Sequence, residues 1–142
     1  MSHAYDPDNI FAKILRNEAP CARVFEDERA LAFMDIMPRA PGHVLVIPKT
    51  SARTILDMPP DALASFMPSV QKVARAVKAA MAADGLSIMQ FNESAGGQVV
   101  FHLHFHILPR WIGVALSPPG GPIEKSDTLA ANAAKIAAAI EA

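Results

Sequence analysis

Along this chain, apolar positions repeat every second residue in some stretches and about every 3.6 in others, and the switches mark its elements. Over residues 9–17, Ile10, Phe11, Ile14 and Leu15 share one stripe, which predicts a short helix capped by Asp8 and ended by Ala19-Pro20. Arg23–Glu26 and Ala30–Met34 predict a hairpin about Asp27-Glu28, with Asp35 closing the second strand. Met37-Pro-Arg-Ala-Pro-Gly42 is too interrupted by proline for a helix or central strand and reads as a loop. His43-Val-Leu-Val-Ile47 follows as a continuous apolar strand, ended by Pro48.

Residues 59–83 carry the clearest helical period. Leu63, Phe66, Met67, Val70, Val73, Ala74, Val77 and Met81 fall in one arc, and Ser65, Ser69, Lys72, Arg75 and Lys78 fall opposite. Pro68 lies on the outer side and is expected to kink or restart the helix, which Asp84-Gly85 terminates. Residues 86–91 and 99–108 read as two paired strands around a polar, glycine-bearing loop at 92–98, with Pro109 stopping the second. A proline- and glycine-rich tail to Pro122 leads to an alanine-rich helix, capped by Ser126 or Asp127. Its only large apolar residues, Leu129, Ile136 and Ile140, could face this domain or a second subunit.

The stretch Phe101-His-Leu-His-Phe-His-Ile-Leu108 concentrates the candidate chemistry, because three of the chain's five histidines stand here at every second position. An extended backbone puts His102, His104 and His106 on one face and sends Phe101, Leu103, Phe105 and Ile107 into a core. Three uses of that face compete. A neutral imidazole attacks phosphorus or carbonyl if one nitrogen holds the proton and the other is free, and His104 is the central one. Gly96 and Gly97 would then let backbone N–H groups approach an anion, with Asn92 and Gln98 adding amide donors. Alternatively, three imidazoles in a row can ligate zinc, although the strand has no carboxylate and the chain no Cys-x-x-Cys. Or the histidines are polar spacers on a half-buried sheet. Asp35 reads either as a turn residue or as an acceptor for two ribose hydroxyls. Ile10, Ile14, Phe33 and Ile36 read either as core or as an apolar slot for a flat base.

Bulk properties narrow the field. At 142 residues the chain is one ordinary domain, and 51% apolar against 19% charged residues make it globular. A formal net charge of −1 argues against a general grip on nucleic acid or an acidic membrane, so any anion must be held locally. The single Cys21 excludes an internal disulfide. With no apolar leader and no membrane-spanning run, a cytoplasmic protein is expected.

His102-Leu-His104-Phe-His106-Ile-Leu108 resembles the signature of the histidine-triad (HIT) family. Ile10-Phe-Ala-Lys-Ile14, Glu26-Asp27, Leu31-Ala-Phe-Met-Asp-Ile36, Ala40-Pro-Gly-His-Val-Leu-Val-Ile-Pro-Lys49 and Gly97-Gln98 resemble its other blocks. The resemblance implies one α+β HIT domain over residues 1–142, with its core at about residues 8–110 and the tail and last helix at 111–142. The implied architecture is a five-stranded antiparallel sheet, one long helix, a short N-terminal helix and a C-terminal helix, paired into a homodimer. It further implies a nucleotide substrate, hydrolysed at the α-phosphate through a nucleotidyl-histidine intermediate, with no nucleic-acid or membrane partner. His104 resembles the nucleophile; His102 and His106 would orient it and handle protons, and His43 resembles the residue bonded to the last triad histidine. Asp35 would hold the ribose, Ile10, Phe11, Ile14, Phe33 and Ile36 the base, and Asn92, Gly97, Gln98, Val99 and Val100 the phosphate. The opening block is most similar to the nucleotide-binding-protein branch, which acts on adenosine phosphoramidates and aminoacyl adenylates. Dinucleoside polyphosphate hydrolysis, or nucleotide binding with only residual activity, are the alternatives. Many members carry Ser or Thr where this chain has Val99. Some bacterial members hold zinc through an N-terminal Cys-x-x-Cys; the matching Asn9-Ile-Phe-Ala12 implies no such site here and no required cofactor.

Overall fold

A computed structural model describes residues 4–140 and shows three helices and one sheet. Helix α1 (Ile10–Leu15) precedes strands β1 (Arg23–Glu26), β2 (Ala30–Met34) and β3 (Val44–Pro48). Helix α2 (Pro60–Ala80) follows, then β4 (Gly85–Met89), β5 (Phe105–Arg110) and helix α3 (Ser126–Ala139). The five strands lie in the order β1-β2-β3-β5-β4, and every pairing is antiparallel. The expected α+β architecture is what the chain adopts. No helix among the described residues is long and apolar enough to cross a membrane.

Every residue of β2 and β3 is buried, which is why both read as unbroken apolar runs. Ala30, Ala32, Met34, Val44 and Val46 pack with Phe66, Val70, Val73 and Val77 of α2 and with Leu129, Ala133 and Ile136 of α3. Leu31, Phe33, Leu45 and Ile47 project the other way, onto Phe11 and Ile14 of α1. One rung of the sheet matters most. Phe33 stands opposite Leu45, Leu45 opposite His106, and His106 opposite Met89. Directly opposed residues share a face, so the register delivers His106 to the α1 side, while Phe105 and Ile107 join the α2 core.

Several local expectations need correcting. The α1 cap is Asn9, whose Oδ1 accepts the Ala12 N–H at 2.9 Å, rather than Asp8. The N-cap of α3 is Lys125, without a side-chain cap bond, rather than Ser126 or Asp127. Pro68 does not restart α2, which runs unbroken over 21 residues; it sits on the exposed side, where water can reach the carbonyl it leaves unpaired. Met67 is exposed, whereas Ser69 is buried and donates to Asp27 Oδ2 at 3.1 Å, fastening the β1–β2 turn to the helix. Strand β5 begins at Phe105, not at residue 99, and it continues through Pro109. That proline is tolerated because β3 pairs only with residues 105–107, leaving the strand's other side open where Pro109 needs no N–H. Phe101 lies outside both cores, half-buried beneath the Arg53 guanidinium at 4.1 Å.

Helix α3 packs on its own domain, against α2 and β1. The tail crosses the segment after β2: Arg39 and Ser117 exchange two hydrogen bonds, and the Glu124 N–H donates to Ile36 O. Trp111 donates to the carbonyls of Met81 and Ala82 at the end of α2.

Candidate active site

His102 and His104 lie in irregular backbone just before β5, and His106 lies within it. The ring centroids of His104 and His106 are 5.0 Å apart, and His106 is 5.2 Å from His43 at the start of β3. Phe11 of α1 stands edge-on to His104 at 4.9 Å and to Phe33 at 5.3 Å. Asp35 follows β2 and puts Oδ2 3.5 Å from His43 Nε2, while its Oδ1 accepts the Met37 N–H at 2.8 Å. One surface thus gathers His43, His104 and His106 with one carboxylate and two aromatic rings, while the His102 ring is buried against Pro48 and Tyr5.

Hydrogen-bond partners settle which nitrogen of each ring holds the proton, since a carbonyl only accepts and a backbone N–H only donates. His104 Nδ1 donates to the carbonyl of His102 at 2.7 Å, so Nε2 carries the lone pair. That nitrogen takes no partner among the described residues. No fully buried side-chain nitrogen or oxygen there is left unpaired, so the 7% exposure His104 retains includes Nε2. The Arg39 N–H donates to His43 Nδ1 at 3.1 Å, which places the His43 proton on Nε2 and aims it at His106 Nδ1, 3.0 Å away. His106 then carries its own proton on Nε2. His102 is fully buried, with Nε2 donating to Pro48 O at 2.8 Å and Nδ1 facing Tyr5 Oη at 2.6 Å.

These rings are neutral at physiological pH. Burial first, then the repulsion that protonated His106, Arg39 and protonated His104 would exert, pushes His43 down to about 3. Burial lowers His102 to about 4 against the opposing pull of the Pro48 carbonyl. Burial also lowers His106 to about 4, helped by His104 and Arg39. His104 shifts the same way, again through burial, although its bond to the His102 carbonyl opposes the change. Burial raises Asp35, opposed by the Met37 N–H. Stability follows from the sign. An unfolded histidine takes up a proton near 6.5, whereas folded His43 does so only at about 3 and His102 and His106 only at about 4. The imidazole contribution is therefore complete above about 6.5 and is lost progressively as pH falls toward 4. Urea midpoints should decline from about pH 7.5 to about pH 5, a window in which ordinary carboxylates stay ionised in both states. A flat series would refute the buried neutral rings.

The loop before the triad is closed by its own hydrogen bonds and tied to Arg53 and Ile55. Gln98 is buried; its Oε1 accepts the Glu93 N–H and its amide donates to the carbonyls of Arg53 and Val100. Asn92 Oδ1 accepts from Ile55 N–H and from Gln90, and its Nδ2 donates back to Gln90 Oε1. Arg53 forks onto the Glu93 carboxylate at 2.8–3.1 Å. Gly97 adopts φ +99°, and its N–H and those of Gly96 and Gln98 close the turn onto the carbonyls of Ser94 and Glu93. The amides expected to meet an anion are thus engaged by protein partners. The N–H groups of Val99 and Val100 take no partner among the described residues, and the Val99 side chain is 83% exposed.

Of the residues expected around a base, Phe11, Ile14 and Phe33 form one buried cluster, with Val100 packed against it. Ile10 and Ile36 stand 47% and 48% exposed, outside that cluster. Asp35, His43 and His106 offer ligand atoms within 4.8 Å of one another, the group among the described residues that could hold a metal ion. Where the resemblance placed the Cys-x-x-Cys of some bacterial members stand Asn9, whose side-chain oxygen caps α1, and Ala12, which carries no donor atom. Sequence reasoning missed Tyr5 and the Pro48 carbonyl, whose partner His102 lies far along the chain, and the Arg39 N–H, which meets His43 four residues on in the proline-rich loop.

The HIT domain profile matches residues 16–111. The chain belongs to the HIT family. It is 54% identical to a HIT-like protein of Bartonella henselae, described as involved in cell-cycle regulation and solved with an unknown ligand. The two structures superpose with a TM-score of 0.92 over 96% of this chain and 99% of that one. It is 34% identical over 121 residues to the adenosine 5'-monophosphoramidase hnt1 of Schizosaccharomyces pombe, covering 83% of this chain and 88% of that protein. It is 38% identical over 103 residues to the adenylylsulfatase HINT3 of Arabidopsis thaliana, covering 72% of this chain and 52% of that longer protein.

Proposed function

We propose that this protein is a nucleotidyl hydrolase acting at the α-phosphate of adenosine phosphoramidates and related adenylates. The observation that carries the reading is the free Nε2 of His104 in a ring whose Nδ1 proton is tied to a backbone carbonyl. Such an imidazole is a nucleophile without prior deprotonation. In the first step the Nε2 lone pair forms a bond to phosphorus and the P–N bond of the substrate breaks. The leaving amine takes its proton from water, with the Nε2–H of His106 as the ring donor that hydrogen-bonds to it. His43, held by Arg39, supports His106 through the shared 3.0 Å hydrogen bond. In the second step water attacks phosphorus, loses a proton to the site, and releases adenosine monophosphate with His104 restored.

Asp35 would take the ribose hydroxyls and the Phe11–Phe33 pair one side of the base. The unpaired N–H groups of Val99 and Val100 would face the phosphoryl oxygens. Two similar proteins named for adenosine 5'-monophosphoramidase and adenylylsulfatase activity support an adenylyl substrate. No metal takes part in the proposed steps. One observation favours a second reading, a nucleotide binder with slow turnover: Val99 supplies no hydroxyl to assist a leaving group.

The test is adenosine 5'-phosphoramidate, adenylyl sulfate and a dinucleoside polyphosphate assayed side by side with excess chelator. Samples quenched without acid go to peptide mass spectrometry. The phosphoramidate should turn over fastest, with one adenylyl group on the His104 peptide. Binding with neither turnover nor adduct would hand the case to the binder.

A further inference from the structure

Besides Phe11 of α1, the segment ahead of that helix also reaches the triad. Tyr5, half-buried, sets its hydroxyl 2.6 Å from His102 Nδ1, with the rings edge-to-face at 5.6 Å. The other His102 nitrogen faces the Pro48 carbonyl, which can only accept. Nε2 is therefore the protonated nitrogen, Nδ1 is the acceptor, and the phenol is the donor. The segment is itself held in place. Asp8 N–H donates to Asp6 Oδ1, the Asn9 amide donates to Asp6 O, and Arg16 donates to Pro7 O.

His102 is fully buried, so without the hydroxyl its Nδ1 would be an unpaired acceptor out of reach of water. The ring would relieve this by turning or by moving its proton, and either change breaks the bond to Pro48. Its backbone has little else to hold it. Residues 99–104 precede the β5 ladder, and the Leu103 N–H donates to Ala52 O at 2.8 Å as the local backbone anchor. The carbonyl of His102 is the group that receives the His104 Nδ1 proton.

We propose that Tyr5 is a positioning residue for the central histidine. Its hydroxyl holds His102 in one tautomer and orientation, and thereby fixes the carbonyl that keeps His104 Nε2 unprotonated. The kinetic consequence rests on the hydrolase reading above; the tautomers do not.

The experiment is Tyr5→Phe in the full chain, which keeps the ring contact and removes only the hydroxyl. Long-range proton–nitrogen spectra of the imidazoles are recorded beside kcat and KM for adenosine 5'-phosphoramidate. Wild type should show His102 with hydrogen on Nε2 and His104 with hydrogen on Nδ1. In the variant the His102 Nδ1 resonance should move toward that of a free acceptor, and His104 should lose its single-tautomer pattern. kcat should fall about tenfold, with KM within about twofold of wild type. An unmoved His102 Nδ1 resonance overturns the proposal. So does a moved one with the His104 spectrum and kcat unchanged. If wild type turns over no adenosine substrate, the hydrolase reading alone is lost, and the His102 and His104 spectra still decide the role of Tyr5.

Discussion

Replacing His104 by alanine should lower turnover of adenosine 5'-phosphoramidate by at least about 10⁴-fold, since it removes the proposed covalent acceptor of the nucleotide. The neighbouring rings do not offer a substitute. His102 has both nitrogens engaged in the interior, and His106 directs its Nδ1 lone pair at His43. Affinity for adenosine monophosphate should change by only a few-fold, about threefold at most, because the contacts proposed for ribose and base lie elsewhere. Rapid-quench kinetics, equilibrium binding and circular dichroism separate these effects. A variant that folds, binds and still hydrolyses at a tenth of the wild-type rate would remove His104 from the mechanism.

Phe66→Ala should cause the largest loss of stability, about 3–5 kcal/mol. Phe66 is 1% exposed in the middle of α2 and packs on Phe105 with centroids 5.8 Å apart. For a chain of this size that loss corresponds to a fall in melting temperature of roughly 10–17 °C. The effect should reach the site as well, because Phe105 is the residue between His104 and His106. Below the melting transition, kcat should drop while the urea m-value stays constant. A melting temperature within a few degrees of wild type would mean that the helix–sheet interface collapses around the gap.

The chemistry of the site depends on low dielectric as much as on residue identity. Four imidazoles so close together would repel one another if charged, and burial holds them neutral instead. That neutrality is what leaves a lone pair on His104 at physiological pH.

Much of this protein can be read from local pattern. The two-residue period from 101 to 108 assigns the histidines and the phenylalanine-leucine set to opposite faces, and the structure keeps Leu103, Phe105 and Ile107 in the helix-side core. The 3.6-residue arc of α2 and the apolar runs of β2 and β3 are legible for the same reason: which side a residue faces follows from backbone geometry alone. Asp35, His43 and the triad could be named as candidates, and the fold brings Asp35, His43, His104 and His106 onto one surface.

Proton positions are another matter. Whether an imidazole nitrogen donates or accepts depends on what it meets: Pro48, Tyr5 and His43 are brought in from distant segments, while the Arg39 N–H and the His102 carbonyl are local groups that only the folded loops aim at His43 and His104. Gln98 and Asn92 likewise meet Arg53 and Ile55 from a distant segment, beside their local partners Glu93 and Gln90. Pro109 stays in its strand for a related reason, because β3 is too short to demand its missing N–H. Periodicity along a chain encodes direction. Hydrogen-bond partnership between distant segments exists only once the segments are packed.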